Sequence, residues 1–206
     1  LVNNWKYSTT IKSRPLLYTE TKKLADLILQ GYNELKLKEQ VINNNIFQVK
    51  SESRKRELAS TILSRLNILD EYLTRCLIES DVETSKILVL YTIVRTDRLF
   101  YEFMDEILSE KLAFQDPVIT DSDFNSFFES KRQQSNKVAG WKEYTFYKLK
   151  QVYIRILFES GLLLNQKGER KVVIPIINPD IIDHIKKHDD PRYINVLAEV
   201  EYEDDK

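Results

Sequence analysis

The stretch SDVETSKILVLYTIVRTDRLFYEFMDEILSEKL, Ser80–Leu112, decides how this chain folds. Its centre, Ile87–Val94, is the longest apolar run in the sequence, and Leu99–Met104 follows after only four residues. Crossing a bilayer takes about 20 apolar residues with few charges. Here eight stand between Lys86 and Arg95, and Arg95, Asp97 and Arg98 then interrupt. The run is therefore expected to be a buried helical spine and not a membrane segment. Ser80 and Glu83 have the spacing of a capping box that would start it. One helix over the whole stretch would be long for a globular domain. A break is expected near Arg95–Asp97, with Thr96 capping a second half that buries Leu99, Phe100, Phe103, Met104 and Ile107. Arg98 and Glu102, one turn apart, would pair.

Composition points the same way. With 206 residues the chain can bury a real core, and 4 Gly and 5 Pro against 11 Tyr and 9 Phe favour helices with short connections. The single cysteine, Cys76, can form no internal disulfide, reads as an inert core thiol and suits a reducing cytoplasm. No secretory leader is apparent. The net charge of −1 is unevenly spread. Lys and Arg against Asp and Glu number 13 to 10 over residues 1–82, 4 to 7 over 83–118, 10 to 6 over 119–175 and 4 to 9 over 176–206. Two basic modules thus flank an acidic middle, and an acidic tail closes the chain.

Upstream of the spine, residues 1–15 read as an arm that Pro15 closes. Thr19 would cap a helix ended by Gly31, and Asn33 a second with Leu37, Val41 and Ile42 inward. A third is expected from Ser51 or Ser53 to about Leu77, because Leu58, Ile62, Leu66, Leu69, Leu73 and Leu77 keep one face. Its first turn carries Arg54, Lys55 and Arg56, where cations oppose the helix dipole. An anionic partner would justify them, since recognition helices enter the major groove by their N-terminal residues. Alternatively, Glu52 and Glu57 neutralise an exposed basic turn.

Downstream, Thr120–Asp123 is a helix start followed by Phe124, Phe127 and Phe128 on one face. Cations then gather, Lys131, Arg132, Lys137, Lys142, Lys148, Lys150 and Arg155, and a strong helix is expected from Trp141 to about Ser160, ended by Gly161. Its buried side would be Trp141, Leu149, Val152, Tyr153 and Ile156. Tyr144, Lys148, Gln151 and Arg155 fall on the far side at spacings of 4, 3 and 4, with Lys142 near its start. That stripe combines cations for phosphates with amide and phenol groups that can bond phosphates, sugars or base edges. Leu162–Leu164 and Val172–Ile174 could pair across a polar turn tipped by Lys167, Arg170 and Lys171, so helix and hairpin together look like half of a winged helix. Asn178-Pro179-Asp180 would open a last helix with Ile181, Ile182 and Ile185 inward. Its His184 and His188 are four apart, but a metal site is rejected: no Glu follows the first His, lysines lie between, and no Cys or third His is at hand. Glu199–Asp205 would fray. No phosphate-cradling glycine loop and no Ser/His/Asp or Cys/His grouping suggests catalysis, a cofactor or a small-molecule substrate.

Leu17–Glu20 with Leu29–Gly31, Asn45–Phe47, Ser53-Arg54, Arg65-Leu66, Lys86–Tyr91, Thr96–Met104, Phe127-Phe128, Trp141, Thr145 and Tyr153 together resemble, in order and over nearly the whole chain, the BrxA family. That family is the small component of the bacteriophage exclusion (BREX) defence system. The resemblance implies a mostly α protein with two helix-turn-helix elements beside positive surfaces. It also implies double-stranded DNA binding beside other BREX components, including a methyltransferase and an ATPase, with no catalytic activity of its own. It assigns no role to individual side chains.

The expectation is thus a mainly α, compact helical protein. Helix-turn-helix-like modules at 1–79 and 119–190, the latter with a small β-hairpin wing, would flank the spine at 80–118, with a tail at 191–206. The expected role is a cytoplasmic, non-enzymatic double-stranded DNA-binding accessory protein. A protein–protein scaffold and an RNA-binding helical protein are the rival readings.

Overall fold

The computed structural model describes residues 5–113, 117–174, 176–195 and 197. The spine forms as expected, with two shifts at its caps. α5 (Val82–Thr96) is started by Asp81 and not by Ser80, which ends the helix before it. Asp81 takes the cap because its carboxylate accepts twice, from the Thr84 amide at 2.9 Å and the Thr84 hydroxyl at 2.7 Å. Every residue from Ile87 to Val94 is buried, as in a helix wrapped on all sides by protein. The break comes at Asp97, whose carboxylate caps α6 (Arg98–Phe103) through the Phe100 amide at 2.9 Å. Thr96 does not cap: its hydroxyl turns back to the Thr92 carbonyl at 2.6 Å. α6 runs through one π turn, Met104–Leu108, into α7 (Ser109–Ala113), a widening that periodicity could not foresee.

The first helices pack onto this spine. α1 (Tyr18–Leu29) follows Leu17, held at φ 56°, so Thr19 lies inside the helix and is not its cap. It ends at Gly31, φ +82°, where the Tyr32 amide donates to Leu27 O at 3.1 Å and Gly31 to Ile28 O at 2.9 Å. That double bond pattern needs the left-handed residue that glycine supplies. Asn33 caps α2 (Glu34–Ile42) through the Lys36 amide. The long third helix is in fact two, α3 (Glu52–Leu66) and α4 (Glu71–Glu79). All six of its apolar positions are buried. The leucine spacing runs on through the gap, but Asp70 captures the Leu73 amide at 2.8 Å and starts a new helix.

Residues 5–17 are not a loose arm. Trp5 stacks on Tyr193 with centroids 5.6 Å apart, Tyr7 is buried with its hydroxyl 2.9 Å from Glu102, and a 3-10 turn, Thr10–Ser13, packs on a later helix. The buried Arg65 fixes the next turn by donating to Arg14 O and Pro15 O, each at 3.0 Å.

β1 (Val118–Ile119) leads into α8 (Asp121–Gln134), which has a full capping box between Thr120 and Asp123. α9 (Asn136–Ala139) and α10 (Glu143–Glu159) follow, and Trp141 lies just ahead of α10, half-buried against Phe146. Gly161 ends α10 at φ +91°. β2 (Arg170–Lys171) pairs antiparallel with β1, Val118 opposite Lys171 and Ile119 opposite Arg170. On the other side of the turn, Leu163 bridges Val172 and the Val173 amide donates to Leu162 O at 2.9 Å, so the expected hairpin forms. α11 (Pro179–His188), capped by Asn178, buries Ile181 and Ile185, and α12 (Arg192–Asn195) packs on α5. Asp189 ties that end to the spine through Arg95, 2.5 Å away, and the Tyr91 hydroxyl. The fraying segment expected at Glu199–Asp205 lies outside the described residues. Among those described, no helix is long and apolar enough to cross a membrane.

Candidate nucleic-acid interface

The basic turn of α3 is largely engaged by the protein itself. Ser51 caps the helix, Lys55 Nζ donates to Ile42 O at 3.0 Å, and Arg56 Nε reaches Glu52 at 3.1 Å. Arg54 lies 3.3 Å from Glu57 and also donates to Ser13 O, which turns it toward the 3-10 turn.

The far stripe of α10 is at the surface. Gln151 and Arg155 are exposed, Tyr144 is 66 % exposed, and Lys148 is partly covered. Lys148 Nζ stands 5.4 Å from the Tyr144 ring and 5.7 Å from that of Tyr147, and 3.3 Å from Gln151 Oε1. Gln151 in turn donates to the Tyr147 hydroxyl at 2.7 Å. Tyr147, half in solvent, belongs to this surface and was missed by the wheel; its i, i+4 relation to Gln151 was the available signal. Arg155 is paired with Glu159 at 2.6 Å. Lys142 is exposed at the residue before α10.

These cations meet across the fold. Lys12 from the 3-10 turn, Arg54 from α3, and Lys148 and Arg155 from α10 line one cleft of about 510 Å³, in which Glu20 is the single lining acid among the described residues. Two basic clusters from distant parts of the chain thus share one surface feature.

The hairpin contributes less than expected. Lys167 and Lys171 are exposed, but Arg170 is buried and does not tip the wing. Its guanidinium donates to Asp121 at 2.6 Å and to Gln166 O and Ile119 O, fastening β2 to the start of α8. Hydrogen bonds from Lys150 and Arg170 hold the Asp121 carboxyl below its ordinary value. Lys131, one of the cations clustered in sequence, is also buried, with Nζ 3.0 Å from Glu102 and paired with Glu106. His184 sits 2.5 Å from Asp70, the cap of α4, with its ring against Tyr72 and His188. Cys76 is half-buried, and burial raises its thiol.

Fold and surface together define a mainly α-helical protein with a small antiparallel sheet and a cleft in which cations from the 3-10 turn, α3 and α10 meet. A family model for BrxA matches residues 5–189. A protein of Bacillus cereus (strain H3081.97) described as "BREX protein BrxA" is 54 % identical over 198 residues, 96 % of this chain and 99 % of that one. Another of that description, from Escherichia coli O9:H4 (strain HS), is 22 % identical over 71 % of this chain and 69 % of its own. The crystal structure of an uncharacterized protein from Magnetospirillum magneticum has the same fold, with a TM-score of 0.80 at 19 % identity, covering 93 % of this chain and 98 % of the other. The chain belongs to the BrxA family.

Proposed function

We propose that this protein is a non-catalytic, double-stranded DNA-binding accessory component of BREX phage defence, working beside other BREX components that include a methyltransferase and an ATPase. The observation that carries the reading is the shared cleft, where Lys12, Arg54, Lys148 and Arg155 converge beside the exposed stripe of α10. The chain order supports it. The succession α7, β1, α8, the short α9, α10, the Leu163 bridge and β2, with β2 between β1 and Leu163, resembles the order of a winged helix, which would put α10 in the recognition position. Lys167 and Lys171 then lie on the wing.

The pairs already made do not bar the way. An exposed bridge such as Arg155–Glu159 is worth only about 0–1 kcal/mol. Exchanging Glu159 for a phosphate therefore costs little. Contacts from Arg54, Lys142, Lys148, Arg155, Lys167 and Lys171 would release their phosphates' counterions, giving a log–log salt slope of roughly −5. Fluorescence anisotropy with a labelled duplex of arbitrary sequence tests this. Affinity should fall about 1,000-fold between 50 and 200 mM salt and vary little with sequence. Salt-insensitive binding, or none at low salt, removes the reading.

One feature favours RNA as a second reading: the Tyr144 and Tyr147 rings stand 6.3 Å apart in solvent, surfaces on which unpaired bases stack. Single-stranded RNA that displaces duplex at lower concentration than unlabelled duplex does would favour it.

A further inference from the structure

A second basic concavity lies on the other side of the 3-10 turn from the cleft. It has a volume of about 260 Å³ and is built by residues 6–14, the middle of α3 and the α5–α6 junction. Lys6, Arg14, Arg65 and Arg98 line it, against one carboxylate, Asp97. Arg65 is buried and held rigidly by backbone carbonyls, and Arg98 is held by Glu102 at 2.7 Å and Trp5 O at 3.0 Å. Both are thus fixed in place, as binding groups must be.

Two observations remain unexplained by folding alone. The Nε of Arg14 is buried and has no hydrogen-bond partner among the described residues, a state that buried polar groups rarely keep. Burial lowers the Arg65 guanidinium, Asp97 pulls it the other way, and the like charge of Arg14 lowers it further. Asp97 offsets part of this charge, but Lys6, Arg14 and Arg65 share that one carboxylate on these walls. The one acid at hand has an oxygen taken by the Phe100 amide. The Ser60 and Ser64 hydroxyls, also on the wall, make no side-chain hydrogen bond among the described residues and are free to donate. Lys6 has no ion-pair partner among the described residues either, and stands exposed at the rim.

We infer that this concavity binds one phosphoryl group, held by Arg14 and Arg65 from beneath, by Lys6 from the rim and by the serine hydroxyls from the side. Its size limits the ligand. At about 260 Å³ it is smaller than the 300 Å³ or more that encloses a drug-sized molecule. The chemistry selects a tetrahedral oxyanion over a planar carboxylate, because donors approach from three sides and guanidiniums suit phosphate oxygens. The phosphate could be a free small ion or one phosphate of a nucleic-acid strand whose neighbours lie on the cleft across the turn.

The test uses the whole protein and inorganic phosphate at constant ionic strength, with chloride as the balancing anion. Thermal melting should rise saturably, by about 5–10 °C at a hundredfold excess over Kd. Phosphorus NMR should show the phosphate line broadening with added protein. Both responses should fall at least tenfold in affinity in Arg14→Gln and in Lys6→Gln. Lys6 is exposed and unpartnered, so its replacement leaves the fold intact even should Arg14→Gln melt early. Duplex DNA then separates the sources. Unchanged duplex affinity in the two variants assigns the site to a free phosphate, and a parallel loss assigns it to the strand. No saturable response to phosphate, or one that both variants keep, overturns the inference whatever duplex DNA does.

Discussion

Replacing Asp97 with Asn should make the protein more stable at alkaline pH and no different in acid. Asp97 caps α6 through the Phe100 amide, and enclosure at the helix junction pushes its carboxyl from 3.8 up to about 6, the Phe100 amide and Arg65 pulling less strongly the other way. A folded-state value above the unfolded one means that the ionised form is disfavoured by folding. The cost is therefore present above about pH 6, where both states are ionised, and absent below about pH 4, where both are protonated. At about 1.4 kcal/mol for each pH interval between the two values, it reaches roughly 3 kcal/mol at pH 8. Asn keeps a side-chain oxygen for the cap and carries no charge. Asp97→Asn should thus gain about 2–3 kcal/mol at pH 8, with the gap closing as pH falls through 6 toward 4. Urea unfolding of both proteins at pH 4.5, 6 and 8 measures it. A gap that does not change with pH, or a less stable variant at pH 8, would show that the Asp97 charge is well compensated where it stands.

Other side chains give sharper separations between structure and surface. Lys131→Ala should lower stability by about 3–5 kcal/mol, because Glu102 and Glu106 lose a buried partner, and Lys131→Met with Glu102→Gln should recover part of that in thermal melts. Arg170→Met should cost about 1–3 kcal/mol, since Asp121 is half in solvent and keeps Lys150, yet leave duplex affinity within twofold, whereas Lys171→Glu should do the reverse. Gly161→Ala should cost about 1 kcal/mol in chemical denaturation, since φ +91° strains any residue with a Cβ.

Much of this architecture could be read from spacing. The apolar run, the caps at Asn33, Thr120 and Asn178, and the aromatic face of α8 are local patterns, and local patterns survive folding. Caps slipped where two good candidates stood side by side: Asp81 displaced Ser80 and Asp97 displaced Thr96, because a carboxylate accepts an amide bond more strongly than a hydroxyl. The joint between α3 and α4 was hidden because six apolar residues keep their rhythm across it. Charge was the least legible quantity. Lys131 and Arg170 read as surface cations, and only tertiary packing turned them inward onto Glu102 and Asp121. Residues 5–17 lacked any period, yet their contacts with α6, α3 and α10 build both basic concavities. A wheel drawn for α10 found its outer stripe but had no means of placing Lys12 and Arg54 opposite it.

We propose the α10 face and its cleft as the place where duplex DNA binds. The most direct test is the duplex affinity of Lys148→Glu with Arg155→Glu, compared with the same reversal at Lys186 and Lys187 on α11. Losing two phosphate contacts at 0.1 M salt should weaken binding roughly 50-fold and reduce the salt slope by about 2, while the α11 pair changes affinity only a few-fold. Equal losses from the two pairs would mean that net charge, and not this site, holds the DNA.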